Sequence, residues 1–476
     1  DPLASTSASA PAAEGPRSIF AELRDAIRGT SADYTKIPLR RAVFLLAVPM
    51  VLELVLESTF AVVDIFFVGK LGASAVATVG LTETLLFLLY AIGMGLAMAV
   101  TAVVARRVGE GARDEAAVTA VQAIWLALAV SAPFALVGIV FAQDLLRFMG
   151  ADAWTLEYGY PYMQWALGGN AAIMLLFTIN AIFRGAGDAA AAMRVLWLAN
   201  ALNIVLDPIF IFGLGPIPAF GVEGAAIATT IGRAAGVLLQ LWTLFRCGQH
   251  LVVLGSQVIW HAATLWTIVR TSLGGVGQMI VSMAAWIFLM RILASIGSEA
   301  VAGATIAVRI MMFTMMPAWG MSNAAATLVG QNLGAERPDR AEASVWRIGA
   351  YNMVYLVAVS VLFFALPTEL MEIFSSEPTV IATGAEWLRI LSYSLFVYGW
   401  WMVSVQAFNG AGDTLTPTWI NVGFFWFIQI PLSWVLASVL DWQASGVFWG
   451  VFISETSVGL FTLWLFSRGS WKTARV

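Results

Sequence analysis

Residues 183–188 read Phe-Arg-Gly-Ala-Gly-Asp, and residues 408–413, which lie 225 positions further along the chain, read Phe-Asn-Gly-Ala-Gly-Asp. The same offset relates three other places: Gly72 to Gly297, Gly109 to Gly334, and Gly221-Val222 to Gly446-Val447. Four matches with no shift in register indicate that the chain contains two copies of one structural unit. Duplicated membrane halves are typical of secondary transporters, in which two bundles move about a site at their interface.

The composition is that of a protein that crosses a membrane many times. The 476 residues are 60% hydrophobic and 11% charged, and the mean hydropathy is +0.84, far above that of soluble domains. Helices of roughly 20 apolar residues cross about 30 Å of hydrocarbon, and the apolar runs here are too long and continuous for the strands of a barrel. The twelve predicted spans are 42–68, 79–104, 117–141, 160–183, 190–212, 225–245, 265–292, 305–329, 344–366, 385–408, 416–440 and 446–466.

These spans predict an all-α integral membrane protein with two six-helix bundles. We call residues 42–246 the first lobe and residues 265–466 the second lobe; 247–264 form a cytoplasmic linker and 467–476 a cytoplasmic tail. Each lobe holds an even number of spans, so the lobes are parallel repeats related by a pseudo-twofold axis along the membrane normal. Most of the 25 Lys and Arg residues then fall on the side of the two termini, which the positive-inside rule places in the cytoplasm.

Residues 1–41 precede the first lobe. The Ala-, Ser- and Pro-rich stretch 1–16 is predicted to be disordered. Ile19, Phe20, Leu23 and Ile27 share one face of the following segment, which suits a short amphipathic helix at the membrane interface, although a frayed linker remains an alternative. The single cysteine permits no internal disulfide, and the only two histidines fall in the linker, where a solvated loop is favoured over a metal site.

Three carboxylates lie within the first span. Glu53, Glu57 and Asp64 are separated by 4 and 11 residues, and at 100° per residue they share one face of a helix. A carboxylate at the middle of a membrane helix costs about 2.5–3.5 kcal/mol on insertion scales, so such residues indicate function and are expected to face the bundle interior. The fifth span adds Asn200, Asn203 and Asp207 on one face of its own.

The second repeat lacks these polar residues. Asp64, Asp207 and Arg233 are all predicted to lie in the outer half of the membrane, and the residues 225 positions further on are Leu289, Leu432 and Val458; Asn203 corresponds to Ile428 and Glu57 to Ser282. A polar cluster confined to one lobe favours a specific task, such as binding a proton or another cation. Burial disfavours a charged carboxylate and Arg233 favours it, and the sequence leaves open which effect dominates.

Several further residues allow two interpretations each. Pro49 lies within the first span and predicts a kink, which is either part of a conformational change or static. Glu53 and Glu57 suit an ion site or a wet vestibule equally. Glu83 and Arg309 are better explained by snorkelling or by an interlobe pair, and Glu455, the one notable acid of the second lobe, stays open. The two Gly-Ala-Gly-Asp segments are predicted to be tight turns with Asp188 and Asp413 as helix caps.

A family resemblance adds to this interpretation. Pro49 and Asp64, Gly69-Lys70-Leu71-Gly72, residues 183–188, Asn203-Ile204-Val205-Leu206-Asp207-Pro208, and residues 329–335 preceded by Pro317 together resemble the multidrug and toxic compound extrusion (MATE) transporters. The resemblance implies two six-helix lobes and antiport of amphipathic, often cationic organic compounds against protons or sodium. By motif it assigns cation coupling to Asp64, Asn203 and Asp207, with Asn180 as a fourth position.

The chain departs from part of that family. The branch that binds sodium in the second lobe carries a glutamate on the seventh helix, where this sequence has Ser282. The resemblance therefore favours the branch with coupling residues in the first lobe, and protons over sodium as the coupling ion. Sodium, if used, is expected at Asp64, Asn203 and Asp207.

We therefore expect an efflux antiporter of the inner (plasma) membrane that works by alternating access on small organic cations or drugs. Pro49, Glu53, Glu57 and Arg233 are the candidate cavity or gating residues. We expect a monomer in the lipid bilayer that is not an enzyme and uses no cofactor, metal centre or nucleic acid. The alternatives are a flippase for lipids or lipid-linked oligosaccharides, and an integral-membrane enzyme or scaffold, which would require a polar catalytic set that the spans do not supply.

Overall fold

The computed structural model describes residues 18–247 and 250–474, and the regular elements in these ranges are helices. The predicted disorder of 1–16 lies outside them, as does the side chain of Cys247. Helix α1 (Ile19–Arg28) precedes the first lobe. The six helices of that lobe are α2 (Leu39–Gly69), α3 (Ala73–Gly109), α4 (Arg113–Phe148), α5 (Thr155–Ala186), α6 (Ala189–Phe212) and α7 (Val222–Arg246).

The second lobe repeats this order with one helix broken. Its helices are α8 (Ala262–Ile296), α9 (Ser298–Gly334), α10 (Pro338–Ala365), the short α11 (Pro367–Glu372), α12 (Pro378–Ser392), α13 (Leu395–Ala411), α14 (Leu415–Val439) and α15 (Gln443–Ser467). The axes of α12 and α13 differ by 63°. The tenth span, 385–408, was predicted to be one continuous helix. This was wrong, because Tyr393 and Ser394 interrupt it.

Twelve helical spans account for the two lobes. Ten helices in the described ranges are long and apolar enough to cross a membrane, and α12 with α13 supplies an eleventh. Helix α2 adds the twelfth: its 31 residues extend about 46 Å at 1.5 Å per residue, although three carboxylates interrupt its apolar surface. The predicted all-α architecture is confirmed.

The repeated Gly-Ala-Gly-Asp segments form the same turn in both lobes. Gly187 and Gly412 end their helices with φ of 94° and 91°, a left-handed conformation that glycine adopts without a Cβ clash. Asp188 Oδ1 accepts a hydrogen bond from Ala191 N, and Asp413 Oδ1 accepts one from Thr416 N, each at 3.1 Å. Asp188 is the N-cap of α6, as predicted, whereas α14 begins after Thr414 and Asp413, one residue earlier, bonds its first turn.

The lobes pack together at the end of the bundle that carries both termini, which we call the terminal side. The Thr327 hydroxyl of α9 donates to the Arg184 carbonyl at 3.0 Å, and Gln331 Nε2 donates to the Gly185 carbonyl at 3.0 Å. The chain end joins this contact, since Arg106 of the first lobe donates to the Ala474 carbonyl at 2.9 Å. Backbone carbonyls of one lobe thus satisfy side-chain donors of the other.

Glycines allow a second pair of close contacts between the lobes. A Cβ at Gly95 of α3 would stand 2.3 Å from the Val276 nitrogen of α8, and one at Gly320 of α9 would stand 2.7 Å from the Val51 Cα of α2. Gly95 and Gly320 are themselves 225 residues apart. The interlobe interface therefore obeys the same pseudo-twofold relationship as the sequence.

Two connecting segments cross from one lobe to the other on the terminal side. In the first segment, residues 29–38, the carbonyl of Thr35 accepts from Arg337 at 2.8 Å, and those of Tyr34 and Ile37 accept from Arg340. In the second segment, residues 250–261, Gln257 Nε2 donates to Asp114 at 2.7 Å and the Ile259 carbonyl accepts from Gln122 at 2.6 Å. We call these segments the N-terminal strap and the linker strap. The N-terminal strap precedes the first lobe and binds the start of α10, the third spanning helix of the second lobe. The linker strap precedes the second lobe and binds α4, the third spanning helix of the first lobe.

The linker strap was expected to be a solvated loop, and that expectation was wrong for His250. This side chain is buried, its Nε2 lies 2.6 Å from the Thr30 carbonyl, and its ring stacks on Tyr34 with centroids 5.8 Å apart. Beside it, burial raises the pKa of Asp33, but hydrogen bonds from Lys36 and Thr35 outweigh burial and hold that pKa below its usual range. The two straps therefore contact each other as well as both lobes.

Helix α1 forms as predicted. Ser18 caps it through its hydroxyl, which accepts from Ala21 N at 3.3 Å, while Ala26 is buried against the bundle. Ile19 and Phe20 are 69% and 84% exposed, so the apolar face is left uncovered. Its placement at a membrane interface stays a prediction.

Candidate functional site

The carboxylates of α2 all meet other helices of the first lobe. Glu53 contacts α5, Glu57 contacts α6, and Asp64 lies beside α6 and α7. The eleven residues from Glu53 to Asp64 rise about 16 Å along the helix. Polar residues therefore form a column through the first lobe, and the predicted single face for these acids is the one that points into the bundle.

The outer end of the column is the acid cluster, which we define as Asp64, Asn203, Asp207 and Arg233. Asp207 is fully buried, and the charge of Asp64 acts on it. The charge of Arg233 acts on Asp64 in turn, and Tyr90 is the neighbouring group that interacts with Arg233. The structure thus brings together the three residues that the sequence placed in the outer half of the membrane, Asp64, Asp207 and Arg233, with Asn203 beside Asp207.

Of the two orientations of the Asn203 amide, the one that gives both of its polar atoms suitable partners is the one assigned here. In that orientation Oδ1 accepts from Thr229 N at 2.9 Å and from Thr229 Oγ1 at 3.1 Å, and Nδ2 donates to Asp207 Oδ2 at 3.0 Å. The other carboxylate oxygen, Asp207 Oδ1, is buried without a hydrogen-bond partner, and so is Asp64 Oδ1. Each acid of the cluster therefore has one oxygen free to take a proton or a cation.

The inner end of the column is the Glu53 cluster, which we define as Glu53, Asn180, Arg184 and Gln240. Glu53 Oε1 accepts from Asn180 Nδ2 at 3.2 Å and lies 3.5 Å from Arg184 Nη1. Gln240 Nε2 donates to Asn180 Oδ1 at 2.7 Å. Asn180, predicted as a fourth coupling residue beside Asp64, is hydrogen-bonded within this inner group instead.

One hydrogen bond lies between the two clusters. Asn200 Nδ2 donates to Glu57 Oε2 at 3.0 Å. Asn200 is buried, whereas Glu57 is partly exposed. A hydrogen-bonded polar pair therefore lies between the Glu53 cluster and the acid cluster.

Sequence reasoning missed four members of the column. Arg184 belonged to a motif explained as a turn, and Gln240, Tyr90 and Thr229 were not singled out. Arg184 carried a usable signal, because its counterpart in the second lobe is the neutral Asn409. Thr229 carried none, since threonine hydroxyls within helices commonly bond the backbone of their own helix.

The second lobe has no equivalent column. Leu289, the counterpart of Asp64, is buried in the apolar core, and Ser282 bonds Gln278 of its own helix and Asn421. Within residues 18–247 and 250–474 there is also no group of three His, Cys, Asp or Glu side chains arranged to hold a metal ion. The acid cluster can bind a monovalent cation or a proton through its two free oxygens.

Pro49 lies next to the interlobe contact. Helix α2 runs unbroken through this buried residue, which removes one backbone donor from the helix. The Met50 carbonyl and Val51, one turn inward of Glu53, are the atoms that a Cβ at Gly320 would strike. The helix that carries the three acids therefore touches the second lobe directly after its proline.

Comparison with known proteins identifies the class. The sequence matches the MatE family model over residues 49–209 and 275–435, one stretch in each repeat. That match and the twelve-helix fold define a membrane transporter built from two repeats. The chain belongs to the MatE family, the multidrug and toxic compound extrusion transporters.

Individual relatives agree with this. The probable multidrug resistance protein NorM of Thermotoga maritima is 26% identical over 441 residues, which is 92% of this chain and 94% of that protein. The FAD transporter of Shewanella oneidensis is 24% identical over 433 residues, which is 90% of this chain and 95% of that protein. A solved outward-facing conformation of a multidrug resistance MATE family transporter is 24% identical, covers 94% of this chain and 99% of its own, and superposes with a TM-score of 0.86. This likeness to a solved structure concerns the fold alone.

Proposed function

We propose that the protein is a secondary antiporter that exports amphipathic organic cations in exchange for protons. Relatives named as multidrug resistance proteins support export of small organic molecules. The observation that carries the proposal is the pair of buried, unpartnered oxygens on Asp64 and Asp207. Acids without a partner in a membrane bundle are costly and mark ion pathways.

The orientation of Asn203 supports protons over sodium. Its oxygen already accepts two hydrogen bonds from Thr229, so the amide presents Nδ2, a donor, to Asp207. A sodium ion needs several oxygen ligands, and a donor amide repels it. A proton needs one free carboxylate oxygen, and the acid cluster offers two.

Alternating access follows from the position of α2. Entry of a proton neutralises the acid cluster and changes how Asp64 interacts with Arg233. Helix α2 then moves relative to α6 and α7, and Pro49 lets it bend near the point where Met50 contacts Gly320. Movement in the first lobe is thereby linked to separation of the lobes, and cargo affinity falls.

The closed end defines the direction of release. Interlobe hydrogen bonds lie on the terminal side, where Gln331 and Thr327 meet residues 184 and 185. With both termini in the cytoplasm of the inner membrane, as the distribution of Lys and Arg favours, this arrangement is closed inward and able to release cargo outward. We place the protein there as a monomer.

A lipid or lipid-linked oligosaccharide flippase is the second candidate. Anionic headgroups would require basic residues facing the interlobe space, and the buried column is rich in acids instead. The relative named as an FAD transporter makes an anionic dinucleotide the informative comparison substrate. We expect no proton-coupled transport of such an anion by this chain.

Transport into proteoliposomes tests the proposal. The purified chain is given an imposed proton gradient or an imposed sodium gradient, and uptake of a fluorescent organic cation is compared with that of FAD and a fluorescent lipid. We expect proton-driven cation transport in the parent and its loss in Asp64→Asn and in Asp207→Asn, while Glu299→Gln, an exposed acid at the start of α9, retains it. Unchanged proton-driven transport in both Asn variants would remove the assigned role.

A further inference from the structure

Glu455 is an acid in the middle of a membrane helix that the proposed function does not use. It is the thirteenth residue of the 25-residue helix α15. An insertion cost of about 2.5–3.5 kcal/mol applies to a charged residue at such a depth. Its counterpart in the first lobe is Thr230, so the acid is not a requirement of the repeated scaffold.

Only one of the two oxygens of the Glu455 carboxyl group has a hydrogen-bond partner. Its Oε1 accepts from Gln429 Nε2 at 3.3 Å, and its Oε2 is buried with no hydrogen-bond partner. Among the ion pairs of the described residues, none includes Glu455. The charge therefore has no counter-ion, in contrast to Glu53, which has Arg184.

The helices packed against α15 supply neutral groups at this depth. Helix α13 contributes Tyr398, on which the charge of Glu455 acts, and Trp401, whose ring centroid is 4.8 Å from that of Tyr398 and whose Nε1 is buried without a partner. Helix α14 contributes Gln429. Glu386 of α12 bonds Ser445 at the far end of α15. Helix α8 also packs against α15, and its arginines, Arg270 and Arg291, are exposed. Tyr398 is therefore the titratable group on which the charge of Glu455 acts.

The backbone beside Glu455 is irregular in a way that aims Gln429 at it. Residues Val422–Gln429 of α14 are wound as a π-helix, and Gln429 is the last of them. The first-lobe counterpart α6 is α-helical throughout, and the residue at the position of Gln429 is Ile204. Helix α14 holds a second π segment at Val435–Val439, but the one that ends at Gln429 is the one that meets Glu455. Segments of this kind occur frequently at functional sites, and here one places a hydrogen-bond donor on the acid.

We propose that Glu455, held by Gln429, is a second proton-binding site of this transporter, located in the second lobe. Gln429 fixes Oε1 as an acceptor, which leaves Oε2 to bind the proton. No basic residue neutralises the carboxylate, and the single free oxygen is too few for a metal ion, so a proton is the ligand that fits. Each lobe then carries its own proton site, and the transport cycle exchanges one more proton than the acid cluster alone provides. This inference deepens the proposed antiport and rests on it for its role in transport.

Infrared titration tests proton binding without relying on transport. The full chain in lipid is titrated with acid and base, and the carbonyl band of buried protonated carboxyl groups is recorded for the parent and for Glu455→Gln, which keeps the size of the side chain and an oxygen for Gln429. We expect the parent to show a pH-dependent carbonyl band that Glu455→Gln lacks, with Glu386→Gln as the matched control on an exposed acid. A difference spectrum between parent and Glu455→Gln with no carbonyl band at any pH would overturn the proposal. A difference that appears only when sodium is added would overturn it as well.

Coupling stoichiometry tests the role in transport. In proteoliposomes, the proton gradient that just balances a fixed cation gradient gives the number of protons per substrate. We expect Glu455→Gln to transport with one proton fewer than the parent, whereas Asp64→Asn loses gradient-driven transport. An unchanged number in Glu455→Gln would refute the coupling role. Full coupling in Asp64→Asn combined with loss in Glu455→Gln would refute the first-lobe function and leave Glu455 standing.

Discussion

Gly109 and Gly334 end the pseudo-equivalent helices α3 and α9, and their backbones meet on the terminal side. A Cβ at Gly334 would stand 3.0 Å from the Gly109 Cα and 2.2 Å from the Arg106 carbonyl oxygen, and one at Gly109 would stand 2.1 Å from the Gln331 oxygen. Both residues therefore have to be glycine for the lobes to close. The repeat that first appeared as a spacing of 225 residues is here a direct contact between its two copies.

We predict that Gly109→Ala and Gly334→Ala each open the terminal side. Overpacking of this kind costs about 1–3 kcal/mol, which corresponds to a shift of about 5- to 150-fold in population. Spin labels at the exposed positions 113 and 347, in a Cys247→Ser background, report the distance between lobes. Gly80→Ala on α3 is the control, because nothing lies within 4 Å of its Cβ; equal distances in all three variants would contradict the prediction.

The N-terminal strap is predicted to hold the same side closed. Arg337→Ala with Arg340→Ala removes the donors for the carbonyls of Thr35, Tyr34 and Ile37. We expect amide hydrogen exchange in residues 30–38 to accelerate by tenfold or more, the equivalent of about 1.4 kcal/mol. Arg347→Ala, an exposed arginine of the same helix, should leave this exchange unchanged, and equal exchange in the double variant would show that the strap is held by other contacts.

Arg184 is predicted to stabilise the first lobe through Glu53. Glu53 is 3% exposed and its second oxygen has no partner, so Arg184→Met leaves a buried charge with only Asn180 beside it. Removing one partner of a buried pair costs about 3–5 kcal/mol. Thermal unfolding in detergent measures the loss, and adding Glu53→Gln to Arg184→Met is expected to recover most of it. A melting temperature for Arg184→Met equal to that of the parent would rule this out.

Asn203 is predicted to position Asp207. Asn203→Leu removes the donor to Asp207 Oδ2 and leaves this buried carboxylate without a hydrogen-bond partner; a buried polar group without a partner costs about 1–3 kcal/mol. We expect proton-driven efflux to fall while substrate still binds at equilibrium. Asn323→Leu on α9, whose oxygen accepts from Gln406 in the second lobe, is the matched control. Retained efflux in Asn203→Leu would separate Asn203 from coupling.

Much of the fold could be predicted from the sequence, and part of the site could. Twelve spans, the two Gly-Ala-Gly-Asp turns and the acids on one face of α2 followed from apolar length, glycine chemistry and helical periodicity. The break between α12 and α13 did not, because the apolar run continues through Tyr393 and Ser394 and only packing bends it. Arg184 and Gln240 were missed for a related reason, because nothing in their own helices marks them as functional. Arg184 meets Glu53, and Gln240 meets Asn180, only when different helices pack together.

The sequence by itself determined that this is a duplicated membrane protein whose Asp64 and Asp207 have no acidic counterpart in the second copy, because hydropathy, period and repeat spacing are properties of the chain read in order. Tertiary structure alone decided which polar groups share a cluster, which carboxylate oxygens stay free, and where the lobes touch. Those features depend on distances of a few ångströms between residues far apart in the chain. A period of 3.6 residues assigns a side chain to a face of its helix, and only the packing of helices assigns that face a neighbour.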